Sequence, residues 1–270
     1  MKKFIIATFA TLGLVACASQ KNEQKILVLY YSQTGATESV AKEIQKQLGA
    51  DIAKIDLENP YDGDFNATIA RCQEEMKTSK FPALKPLNIN VKDYDIVMLG
   101  YPVWFGTYAR PIASLVQEQK FEGKKVVTFC TFGSGGLQTS TSDLKAALPN
   151  AEIKEGYGVR TARIGSIEEE VNRFLIEGGY KDGEIEPLPP FGKHETVRQE
   201  DIQVFNEACG DYQFPLGTPV DVAKRQTPIG TEFEFTVKSQ DMNGKESKAT
   251  IYVTKTKKQG AKAEFTQVVR

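Results

Sequence analysis

Histidine is nearly missing from this chain: His194 is the only one in 270 residues. A Ser–His–Asp constellation and a metal site built on several imidazoles are therefore without support. Excess charge of one sign is missing too, since 34 Lys and Arg face 35 Asp and Glu and leave −1. A nucleic-acid binder would show a clearly basic domain, so that class is set aside. Neither a Walker lysine nor a GxGxxG occurs, which removes motif support for ATP and dinucleotides. Cysteine is sparse. After Cys17 there are Cys72, Cys130 and Cys209, spaced for neither a CxxC redox pair nor a zinc site, and no metal is expected. Cys130, inside "VVTFCTF", reads as a buried thiol.

Long apolar runs are also lacking. Phe4 to Ala16 is apolar but shorter than the roughly 20 residues that span a bilayer. Preceded by Lys2 and Lys3, it reads as an export signal over residues 1–16. Its end, Leu14-Val15-Ala16-Cys17, resembles a bacterial lipobox. That resemblance implies a lipidated Cys17, a polar tether over residues 17–24, and a chain held to a cell-envelope membrane on the exported side. Each buried acyl methylene contributes about 0.8 kcal/mol, so several chains anchor firmly.

What is present begins at Lys25. Short apolar runs alternate with helical patterns: strands at Lys25 to Tyr31, Asp51 to Leu57, Asp95 to Tyr101, Lys125 to Phe132 and Ile153 to Val159. Helical spacing follows at Val40 to Leu48, Thr68 to Lys80, Pro111 to Gln119, Leu137 to Leu148 and Ile167 to Ile176. Ile69, Cys72 and Met76 share one helical stripe. Near-continuous apolar strands, each followed by a helix, predict a doubly wound parallel sheet over residues 25–177. "GGYKDGEIEPLPPFG" at 178–192 reads as a linker. Residues 193–270 predict a small α+β domain: a helix over Gln199 to Cys209 and an antiparallel meander of three or four strands, with Asn243-Gly244 as a hairpin turn.

Three loops stand where strands meet helices. The first, Ser32, Gln33, Thr34, Gly35, Ala36 and Thr37, packs hydroxyls into a helix start. Unpaired helix-start amides and the helix dipole favour an anion there, and the hydroxyls add donors. Without a lysine, the loop suits the phosphate monoester of a mononucleotide. The second comprises Tyr101, Pro102, Val103, Trp104, Phe105, Gly106 and Thr107, an aromatic turn with Trp104 or Tyr101 available to a flat ring. The third, Thr131, Phe132, Gly133, Ser134, Gly135 and Gly136, offers flexible backbone. Ligands of open α/β sheets bind beyond the carboxyl ends of the strands, where all three would lie. His194 lies away from this crevice, Asp62 and Asp64 read as solvated loop acids, and Tyr61 or Phe65 could cover the site. Lys255, Lys257 and Lys258 read as a solvated turn.

These residues resemble the flavodoxin family. "VLYYSQTGATESVAKEI" is similar to its phosphate loop, and "GYPVWFGTYARPI" with "FCTFGSGG" to its two flavin loops. The resemblance covers Lys25 to Ile176 and implies a five-stranded sheet in the order 2-1-3-4-5. It also implies bound FMN, with phosphate at Ser32 to Thr37 and the ring between the other loops. Gly106 is the candidate to turn its carbonyl toward flavin N5. Ala36 stands where many flavodoxins carry Asn. The leading expectation is a lipid-anchored electron-transfer protein whose partner is a redox protein or a quinone. An FMN-dependent NAD(P)H or quinone oxidoreductase, or a cofactor-free assembly lipoprotein, are the alternatives.

Overall fold

The computed structural model describes residues 24–61, 64–119, 121–240, 246–257 and 259–269. The signal and Cys17, Asp62, the Asn243-Gly244 turn and Lys258 lie outside them. Strands β1 (Ile26–Tyr30), β2 (Asp51–Lys54), β3 (Ile96–Trp104), β5 (Lys125–Phe132) and β6 (Glu152–Arg160) form a parallel sheet in the order β2-β1-β3-β5-β6. The two-residue strand β4 (Thr107–Tyr108) folds back on the end of β3. Leaving out this small hairpin arm, the order is the 2-1-3-4-5 expected from the sequence.

Period-two alternation explains why the strands are apolar throughout. Leu27, Leu29, Val97, Leu99, Val126 and Cys130 bury on one face, with Cys72 of α2 (Phe65–Lys77), Ile112 and Leu115 of α3 (Arg110–Glu118) and Leu144 of α4 (Leu137–Ala147). Val28, Tyr30, Ile96, Met98, Val127 and Phe129 bury on the other, against Val40, Ala41 and Ile44 of α1 (Ala36–Leu48) and Val171 and Leu175 of α5 (Ile167–Glu177). Gly100 is required inside β3 because the Phe129 ring occupies the space a Cβ would need. One expectation is corrected: in α2 only Cys72 is buried, and Met76 of the supposed stripe is exposed. Asp64 is exposed, as expected of a solvated acid, and its carboxylate also caps α2 by accepting from Ala67 N–H at 2.9 Å.

The remaining chain adds α6 (Gln199–Cys209) and a second sheet of β7 (Glu195–Thr196), β8 (Thr218–Gln226), β9 (Gly230–Gln240), β10 (Glu246–Thr256) and β11 (Glu264–Val269). The order is β11-β10-β9-β8-β7, every pair antiparallel. Phe233, Phe235 and Val237 stand directly opposite Val253, Ile251 and Ala249, and these pairs pack with Phe205 and Phe265 in a core of their own. The sheet has five strands rather than three or four. β8 escaped notice because only Val222 and Ala223 are buried along it and its register shifts between Pro219 and Asp221. Cys72, Cys130 and Cys209 are buried free thiols.

His194 ties the start of this domain to its sheet. Its Nδ1 lies 2.5 Å from Asp221 Oδ1 and its Nε2 lies 2.9 Å from Glu234 Oε1. Hydrogen bonds to both carboxylates raise its pKa above 6.5, so both ring nitrogens donate when the imidazole is charged. Stability from this group is complete below the unfolded value of about 6.5 and is lost as pH rises through the higher folded value. Thermal melts should therefore show the wild type losing stability across that window. His194→Gln should flatten the dependence, and an identical slope in the variant would rule out this assignment.

Candidate functional site

The site is built by register. Tyr30 pairs with Gly100, Gly100 with Phe129, and Pro102 with Thr131, so three adjacent strands end side by side. The loops that follow them share the carboxyl edge of the sheet, where parallel α/β proteins place ligands.

In the first loop, Gly35 sits at φ 90° as the residue before α1 and provides no capping side chain. The first amides of the helix thus face outward with no intrahelical acceptor. Ser32 Oγ accepts from Gly35 N–H at 3.1 Å, which leaves its own hydrogen free to donate. Thr34 is exposed at the loop tip. Thr37 points the other way: it is buried, and its hydroxyl bonds the Thr131 hydroxyl at 2.8 Å. That bond joins the first loop to the root of the third. Gln33 is structural as well, with its Oε1 accepting from Tyr31 Oη at 2.5 Å.

The second loop is a tight hairpin. Trp104 pairs with Thr107 across Phe105 and Gly106, both at positive φ (52° and 83°), the backbone signature of a two-residue turn that matches strand twist. Phe105 adopts it at a conformational cost and is 53% exposed. Trp104 is half-buried, its ring met edge-on by Tyr31 (5.9 Å) and Tyr61 (5.2 Å). Of the two residues expected to meet a flat ring, Tyr101 is fully buried and reaches Ser140 Oγ with its hydroxyl at 3.3 Å. Its side chain offers no face, and of the two only Trp104 keeps exposed surface. Tyr61 is part of the aromatic wall, while Phe65 is exposed. Burial holds the Tyr31 and Tyr61 phenols above the usual tyrosine range, so both stay neutral.

In the third loop Phe132 is core and Gly133 is exposed. Gly136, at φ 121°, lies where any side chain would strike Val103, so the second and third loops touch. A cavity of about 540 Å³ opens beside them, bounded by Val103, Gly106, Gly135, Tyr212, Phe214 and Gln267. Tyr212, Phe214 and Gln267 come from the C-terminal domain, which thus borders the same opening as these loops. Among the described residues, no cluster of His, Cys, Asp or Glu could hold a metal ion, and no helix is long and apolar enough to cross a membrane.

Residues 25–173 match the family model described as Flavodoxin. That is more than half of the chain, and the chain belongs to the flavodoxin family. Flavodoxin 1 of Salmonella typhimurium is 30% identical over 106 residues, which are 38% of this chain and 46% of that protein. The match thus spans less than half of the curated relative. Among solved structures, a Bacteroides uniformis protein assigned as a flavoprotein aligns with TM-score 0.51 and 26% identity, over 56% of this chain and 97% of its own. A Lactobacillus acidophilus flavoprotein in complex with FMN aligns with TM-score 0.47 and 25% identity, over 56% and 98% respectively.

The Thr37–Thr131 bond makes a stability prediction. Thr37→Val keeps the shape and strands a buried hydroxyl, so it should cost about 1–3 kcal/mol in denaturant unfolding. Adding Thr131→Val should recover part of that loss. Equal stability of the single variant and the wild type would mean the bond holds nothing.

Proposed function

We propose that this chain binds FMN at the carboxyl edge of its parallel sheet and works as a lipid-anchored electron-transfer flavoprotein of the bacterial cell envelope. The observation that carries the reading is the meeting of three loops at one edge: hydroxyls and helix-start amides in the first, Trp104 in the second, glycine backbone in the third. The site fits the cofactor. Gly35 leaves the start of α1 open to a phosphate, with Ser32 and Thr34 as hydroxyl donors and no lysine needed. The partly exposed Trp104 is the aromatic available to a planar ring, and Gly106, two residues on at positive φ, offers backbone without a side chain. When bound, FMN supplies one- and two-electron transfer.

The protein's own contribution is orientation and shielding. Tyr31 and Tyr61 pin the indole from two sides and exclude water behind it. The neutral phenols add no charge to the ring's surroundings. The Thr37–Thr131 pair fixes the distance between the phosphate loop and the ring loops. A redox protein or a quinone completes the electron path in this reading. The Leu14-Val15-Ala16-Cys17 sequence supports the anchor.

Purified protein should be yellow, and chromatography of the released pigment should return FMN. Thr34→Glu sets a carboxylate against the phosphate, a like-charge clash of several kcal/mol, so FMN affinity should fall roughly 100-fold or more. An equally yellow variant would overturn the phosphate assignment. Cys17→Ser should move the flavin from the membrane to the soluble exported fraction. Retention at the membrane would overturn the anchor.

A further inference from the structure

The C-terminal domain is fastened to the third loop. Val268 of β11 donates its N–H to Ser134 O at 2.7 Å. Arg160, the last residue of β6, donates Nε to Gly133 O at 2.7 Å and Nη1 to Phe265 O at 2.8 Å. Its guanidinium also lies 4.2 Å from the centre of the Phe265 ring. A side chain at Gly135 would run into the Val268 carbonyl. Beside this, Arg163 reaches Glu264 at 3.2 Å.

Two successive carbonyls of the loop are therefore held. One is bonded by a β11 amide, the other by an arginine whose second donor rests on β11. Without those bonds, a Gly-Ser-Gly-Gly segment has more backbone freedom to lose on meeting a ligand than a segment of ordinary residues. Fixing it in advance lowers the cost of binding. The fork of a guanidinium suits the task because it presents several donors in one plane and stays charged.

We infer, on the basis of the FMN reading above, that the C-terminal domain is an integral part of the cofactor site. Arg160 and β11 hold Gly133 and Ser134 in their binding conformation, so cofactor affinity and docking of the C-terminal domain are coupled. Arg160 is a positioning residue and acts through the loop. Coupling of this kind is reciprocal. Bound FMN strengthens the attachment of β11, and whatever displaces β11 weakens the hold on FMN.

Two measurements on the full chain test this. The first is FMN titration followed by quenching of flavin fluorescence, for the wild type, Arg160→Gln and Arg160→Lys. Arg160→Gln should bind FMN about tenfold more weakly, within the usual span of coupling factors. Arg160→Lys should fall between, since one ammonium replaces the fork imperfectly. The second is hydrogen exchange at the Val268 amide with and without FMN. In the wild type, FMN should slow exchange there; a merely structural arginine would produce no such cofactor-dependent protection. Affinity of Arg160→Gln within twofold of wild type, or Val268 exchange indifferent to FMN in the wild type, overturns the coupling. If Arg160→Gln does not fold, the wild-type exchange result decides alone. Failure of the wild type to bind any FMN is a different result and overturns the cofactor reading itself.

Discussion

Parallel pairing in register is the constraint on which everything else in this molecule rests. Because β1, β3 and β5 are neighbours whose ends align, three loops far apart in sequence open onto one edge. A slip of one residue in β3 would turn Val97 and Leu99 to the wrong face and carry Trp104 away from Tyr31. The buried alternation on both faces resists such a slip, and Gly100 adds a steric lock, since only a residue without a side chain admits the Phe129 ring. The geometry of the site is thus inherited from the core.

Much of this was legible in the sequence. Strands buried on both faces announce themselves as continuous apolar runs, and β5 occupies the predicted Lys125 to Phe132. The helix start at Ala36 was marked by Gly35 and hydroxyl residues. What escaped has physical causes. Tyr101 and Trp104 look alike as aromatics on a strand end, but Tyr101 lies where β3 is still flanked by β5 and is fully buried, whereas Trp104 stands in the hairpin end and is only partly covered on the same core. Tyr61 was named beside Phe65 as a residue that could cover the site, and only Tyr61 meets Trp104, a pairing between side chains far apart in sequence that no local pattern marks. β8 hid behind a register shift, and α2 mimicked a broader apolar stripe than the one it buries.

The C-terminal domain illustrates a different lesson. Its helix and its Phe233 to Val237 strand were plain from periodicity, whereas its docking was not. Arg160 carries no motif, and a backbone bond such as that between Val268 and Ser134 leaves no trace in side-chain identity. Contacts of this type are sequence-silent except through the glycine that makes room for them. Gly135 was read as flexibility for a ligand; its structural reason includes the strand that lies against it.

One feature of the second sheet reaches beyond the site. β11 pairs with β10 on one side only, and on its other rim the Val268 amide and the Phe265 carbonyl are taken up by Ser134 and Arg160 instead of by another strand. The glycine loop covers part of that rim. Severing the chain at the linker would strip away this cover and leave an unpaired strand edge, so the parallel-sheet domain doubles as a guard for its neighbour's border.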